Sequence, residues 1–205
     1  MKTITFIVLL LLSIHLMGAS SVDIIKGTSF MSVETAEKTY KIQRTQKEGD
    51  SLTNTFALTS RPSPPFFIEP FTVSNKVETY GELEVLAFIA KKRGIFIDAR
   101  LENWHKKSAI PSALNIPFKM FLSKSIQRNE ILKSFGATYK KGKWDFRKAK
   151  KLLFYCNGAW CGQSPTAINA LIDIGYPQKK MKYYRGGMQA WQLLGLTTIK
   201  PEEIK

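Results

Sequence analysis

Cysteine and histidine are scarce in this chain, with two of each in 205 residues. A zinc centre asks for about four such ligands. Setting aside His15 in the amino-terminal run, only Cys156, Cys161 and His105 remain, so neither a metal site nor any other cofactor is expected. No Cys-x-x-Cys-His run is present to attach a haem. The two cysteines share one short loop and cannot staple distant segments, which excludes a disulfide framework. Acidic residues are also few, 16 against 31 lysines and arginines, for a formal charge of +15. Long apolar runs are lacking too: residues 4–12 fall short of the roughly 20 needed for a permanent transmembrane helix.

What precedes and follows that apolar run is informative. Lys2 comes before it, and Gly18, Ala19, Ser20 and Ser21 come after. This charged, apolar, small-residue order is that of a secretory signal peptide. Residues 1–21 are therefore expected to be removed near Ala19 to Ser21, delivering a periplasmic or secreted protein that meets the membrane only through this segment. The lysines are spread along the chain, and such a surface either serves solubility or draws anions generally. Export takes nucleic acid off the list of expected partners and leaves small anions or the acidic face of a periplasmic protein.

Residues 22–77 are polar, with scattered apolar positions and no sustained period, and read as an appendage, partly extended or disordered. Four prolines between Arg61 and Phe71 require an extended or turning connection. Phe66, Phe67, Ile68 and Phe71 are expected to dock on the domain. The domain proper spans residues 78–200, with a tail at 201–205. Thr79 and Glu82 form a capping box ahead of Leu83, Leu86, Ala87 and Ala90, with Gly94 as the stop. A buried strand follows at 95–98, and His105 after it reads as a surface group. Helical turns are expected at 126–135 and 146–149, with a loop at 136–144. A second buried strand covers 152–155, and Ser164 with Pro165 announces a helix carrying Ala167, Ile168, Ala170, Leu171 and Ile174. A strand at 181–184 and a helix at 188–194 complete the alternation. The fold class is α/β with a largely parallel sheet, which puts Cys156 at the carboxyl end of a strand.

A cysteine delivered by a strand into a loop closed by a helix start faces converging backbone amides and a positive dipole. That setting favours the thiolate, the reactive form. The amides of Asn157, Gly158, Ala159, Trp160, Cys161, Gly162 and Gln163 can cradle an anion, and Gly158, Ala159 and Gly162 let them turn inward. Trp160 would roof the loop. The bland reading of Cys156 is a buried hydrophobe at a strand end. Cys161 has three readings: loop lining, redox partner of Cys156, or inert packing.

The stretch KLLFYCNGAWCGQSPTAINALIDIGY, residues 151–176, resembles the active-site segment of the rhodanese-like sulfurtransferases. IFIDAR at 95–100 is similar to the family's strand ending in Asp-x-Arg, AIPSALNIPF at 109–118 to its Ile-Pro-Gly-Ala-x-Asn-Ile-Pro stretch, and YRGGMQAW at 184–191 to its Gly-Gly-x-x-x-Trp segment. The resemblance runs from about Tyr80 to Leu196. It implies a three-layer domain, with a largely parallel central sheet flanked by helices, and no cofactor. It implies that Cys156 is the nucleophile, taking sulfane sulfur from an anionic donor such as thiosulfate or polysulfide as a persulfide and passing it to a thiol or other thiophilic acceptor. Asp98 and Arg100 would brace the loops through a salt bridge. One departure is that Ser164 stands eight residues after Cys156, where the family places its helix-starting serine at six, so a wider loop is expected. No arginine lies in the loop to grip phosphate or arsenate. The competing readings are a thiol–disulfide oxidoreductase using Cys156 and Cys161, and a partner-docking module with an idle cysteine.

Overall fold

A computed structural model describes residues 22–35, 38–61, 67–122 and 126–201. The expected signal peptide, Phe66 and the tail at 202–205 lie outside the described residues. No helix among those described is long and apolar enough to cross a membrane.

The chain opens with an antiparallel hairpin, β1 (Phe30–Glu34) and β2 (Thr39–Gln43). There follow β3 (Glu78–Tyr80), α1 (Glu82–Ala90), β4 (Ile95–Asp98), α2 (Glu102–Lys107) and β5 (Leu114–Asn115). Then come α3 (Lys119–Leu122), α4 (Ile126–Ser134) and a second hairpin, β6 (Thr138–Lys140) with β7 (Lys143–Asp145). The chain closes with β8 (Leu152–Tyr155), α5 (Gln163–Asp173), β9 (Met181–Tyr184) and α6 (Gly187–Leu193). The central sheet has five parallel strands in the order β3-β9-β8-β4-β5. The register aligns Asp98, Tyr155 and Tyr184, so the carboxyl ends of β4, β8 and β9 open at one level, directly before Cys156.

Strand alternation divides the core into two layers. Ile97, Leu152, Phe154, Met181 and Tyr183 pack under α3, α4 and α5 through Phe121, Leu132, Phe135, Ala167, Ile168 and Leu171. Phe96, Leu153, Tyr155 and Tyr184 face α1 and α6 through Val85, Phe88, Ile89, Met188 and Trp191. The result is the three-layer α/β arrangement with a parallel sheet.

The amino-terminal segment contributes to the second layer. Val33, Ile42 and Phe56 are buried in it. Thr45 N–H donates to the Gly195 carbonyl at 2.7 Å, and Thr197 N–H to that of Gln43 at 3.0 Å. Phe67, Ile68 and Phe71 do not dock; all three are exposed. Residues 67–71 are held by their main chain, through Glu69 N–H on Ala159 O and Arg185 on the Glu69 and Pro70 carbonyls, which leaves their apolar side chains outside.

Three local expectations are also corrected. Thr79 lies in β3 and donates its hydroxyl to the Phe71 carbonyl; the N-cap of α1 is Gly81, whose N–H meets the Glu84 carboxylate at 3.0 Å. The strand claims Thr79, so the helix starts two residues later and buries Val85, Leu86, Phe88 and Ile89 while leaving Leu83 half exposed. It ends before Gly94, whose role is close packing: a side chain there would collide with the Lys151 carbonyl. Residues 136–144 are not a loop, because Lys141 and Gly142 both take positive φ, 48° and 76°, and form the tight turn of a hairpin. Residues 146–149 make a single turn rather than a helix, with Lys180 Nζ donating to the carbonyls of Phe146, Arg147 and Ala149.

Candidate active site

β8 is apolar and buried along its whole length and ends at the sheet rim, so Cys156 is the first residue released into the loop. The loop is shorter than its sequence implies. The N-cap of α5 is Gly162, six residues after Cys156, and Ser164 and Pro165 belong to the first helical turn. Proline is tolerated there because first-turn N–H groups have no intrahelical partner. Ser164 is drawn inward by burial and does not act as the cap.

The loop carbonyls are engaged on its outer side. Cys156 O accepts from Met188 N–H at 3.0 Å, Asn157 O from Gln189 N–H at 2.9 Å, and Ala159 O from Glu69 N–H at 2.8 Å. Gly162 O accepts from Thr166 through both its amide and its hydroxyl. α6 sits close against this turn. Gly187, with φ 54°, leaves no room for a Cβ, which would strike the Cys156 carbonyl. Gly187→Ala is therefore expected to push the cysteine loop off α6, lowering the thermal midpoint by several degrees and slowing reaction at Cys156; calorimetry and thiol-modification rates would check it.

Cys156 and Cys161 are both buried free thiols. The Cys156 S–H donates to the Cys161 carbonyl at 2.9 Å, and Asn157 Nδ2 reaches the Cys161 sulfur at 3.6 Å. Burial pushes the Cys156 thiol well up, and the neighbouring Cys161 adds to this; the Ser164 amide and hydroxyl oppose them. Cys161 is lowered to about 7, chiefly by the Cys156 S–H and then, against burial, by the amides of Asn157 and Gln163. Across this pair the direction favours ionisation at Cys161 over Cys156, the reverse of the sequence expectation. Trp160 packs against Gly158 in the loop. Its indole N–H donates to Gln189 Oε1 at 2.6 Å, and the Arg61 guanidinium lies 3.9 Å from its ring centroid.

Beneath the loop, Asp98 and Arg100 are fully buried. Arg100 Nε donates to Asp98 Oδ1 at 2.8 Å and Nη2 donates to Oδ2. Tyr155 O–H donates to Asp98 Oδ2 at 2.8 Å, and His105 Nδ1 lies 2.8 Å from the same oxygen. Burial alone would raise the Asp98 carboxyl; Arg100 and His105 outweigh it and hold it low. His105 is thus a partly buried partner of this carboxylate rather than a surface group, and a lone histidine offered no spacing signal to reveal it. The network fixes the ends of β4 and β8, while Asn115 Nδ2 closes the turn by donating to the Asp98 and Arg100 carbonyls.

Sequence reasoning also missed Glu69, which enters from outside the domain, and the buried hydroxyls of Ser164, which faces the Cys156 thiol, and of Tyr183, which has no hydrogen-bond partner among the described residues.

A family model described as Rhodanese-like domain matches residues 83–194. No curated protein matches the chain. Among solved structures, a human single-domain sulfurtransferase is 18% identical over 58% of this chain and 96% of its own, with a TM-score of 0.41. A thiosulfate sulfurtransferase from Pseudomonas aeruginosa is 19% identical over 60% of this chain and 20% of its own, with a TM-score of 0.41. A protein from Lactobacillus plantarum is 20% identical over 60% of this chain and 87% of its own, with a TM-score of 0.42.

Proposed function

We propose, from the premise that the chain belongs to the rhodanese-like domain family, that it is an exported sulfurtransferase or sulfur carrier working through a persulfide on Cys156. The observation that carries this reading is the thiol pair inside a loop whose Cys156, Asn157 and Ala159 carbonyls are bound by α6 and Glu69, leaving the Cys161 carbonyl to the Cys156 thiol. Cys161, near neutrality in its ionisation, accepts the Cys156 proton as the Cys156 sulfur attacks the outer sulfur of the donor. With thiosulfate, the donor S–S bond breaks, sulfite leaves with the electron pair, and a persulfide remains. A thiolate or cyanide then takes the outer sulfur, Cys156 departs as thiolate and recovers its proton from Cys161. A base supplied by the loop itself removes the need for a histidine or carboxylate there. The charged, apolar, small-residue order of residues 2–21 supports delivery to the periplasm or exterior.

Intact mass after exposure to thiosulfate or polysulfide tests the reading: one added sulfur is expected, released by cyanide, and the absence of an adduct with any donor would defeat it. Loading should rise with pH through about 7 and then level, as Cys161 loses its proton. In Cys161→Ser the rise should move to higher pH, toward the raised ionisation of Cys156, with slower loading at neutrality.

The closeness of the two thiols favours a second reading, a thiol–disulfide oxidoreductase. Under it Cys161→Ser abolishes activity outright, whereas sulfur transfer survives that change at higher pH.

A further inference from the structure

The geometry points to Glu69 as the residue that selects sulfur donors by charge at the mouth of the cysteine loop. This deepens the sulfur-transfer reading and rests on it for the identity of the donors. Glu69 lies before the matched family segment, and its main chain is fixed against the loop. Its N–H donates to Ala159 O at 2.8 Å, while Arg185 Nη2 and Nε donate to its carbonyl at 2.7 and 3.2 Å. Its side chain returns to the loop as well. Glu69 Oε1 stands 2.8 Å from the point a Cβ on Gly162 would occupy, which places the carboxylate against the N-cap of α5.

That carboxylate has no hydrogen bond or ion pair among the described residues, and it is only half buried. It is not a helix cap, because no first-turn amide donates to it. The nearby cations keep their charge but form no ion pair with it: Arg185 donates to the carbonyls of Glu69 and Pro70, and Arg61 to those of Leu58 and Thr55 while lying over the Trp160 ring. Two fields therefore act in sequence on an incoming molecule. The basic surface gathers anions at long range, and the Glu69 carboxylate, in no ion pair among the described residues, meets them beside the N-cap of α5. A dianion such as thiosulfate is repelled there, while a sulfane sulfur carried on an uncharged organic chain is not. The donor class this mouth admits best is the organic polysulfides and neutral persulfides.

The test compares two alkylating agents of one size and opposite charge character, anionic iodoacetate and neutral iodoacetamide, with modification at Cys156 assigned by peptide mass. Any effect of Glu69 on thiol ionisation alters both rates alike and cancels in their ratio. In Glu69→Gln the iodoacetate to iodoacetamide ratio should rise about fivefold, the size expected for one charge at close range in a wet site. The difference in this ratio between Glu69→Gln and the unaltered protein should shrink as salt is added, since the basic surface is common to both. The ratio of sulfur loading from thiosulfate to loading from dimethyl trisulfide should move the same way in Glu69→Gln. An unchanged alkylation ratio overturns the proposal. So does a folded chain that neither reagent can enter, since a selective mouth must be passable. Failure of every donor to load, with the alkylation ratio still raised, would defeat the transfer reading and its donor class while upholding the charge filter.

Discussion

Arg100→Leu is expected to lower unfolding free energy by ~3–5 kcal/mol, the range seen when one partner of a buried ion pair is removed. Asp98 is fully buried and would be left with no cation but His105, its other donors being the Tyr155 hydroxyl and the main-chain N–H of residue 100. Chemical denaturation at neutral pH measures the loss. The double change Asp98→Leu with Arg100→Leu should cost less than the sum of the two single changes, because neither charge is then stranded. Strict additivity would show that the two side chains act independently. The pH dependence follows from the depressed Asp98 ionisation. Its stabilising share is complete above the unfolded carboxyl value of about 4 and is lost as pH falls through the lower value of the folded state. Acid unfolding of Arg100→Leu should therefore begin at higher pH than that of the parent.

Cys156→Ser is expected to abolish sulfur loading, by ~10³-fold or more, since a serine hydroxyl is scarcely ionised in water and cannot form a persulfide. The fold should tolerate the exchange within ~1 kcal/mol, because the two side chains differ little in volume and Cys156 already donates a hydrogen bond to the Cys161 carbonyl. Intact mass and denaturation together check this. The informative contrary result is an adduct that persists and maps to Cys161. The lowered ionisation of Cys161 makes that a real alternative, and it would exchange the roles of nucleophile and base within the same loop.

Much of this arrangement is legible in the sequence because it is local. β4, β8 and β9 are short apolar runs bounded by turn residues and can be read directly. Where tertiary burial competes with local propensity, the reading shifts. Ser164-Pro165 has the appearance of a helix start, yet the buried Ser164 side chain belongs to the first turn and Gly162 takes the cap. The hairpin of β6 and β7 was obscured by its lysines, although Lys141-Gly142 carries the turn geometry. His105 and Glu69 leave no trace in spacing at all. Each meets its partner only after the chain has folded back, Glu69 across from residue 69 to residue 159. The same holds for Val33 and Ile42, whose alternation is too short to distinguish a hairpin from a polar linker.

That first hairpin bears on how the gene could be shuffled. The recognisable family unit begins at residue 83, but Val33, Ile42 and Phe56 cover one flank of it, and the end of β2 and Thr45 just after it are tied to residues 197 and 195. A fragment excised at the family borders and fused elsewhere would carry a bare greasy flank to its new host. A fragment that keeps the hairpin and Phe56 would retain that cover.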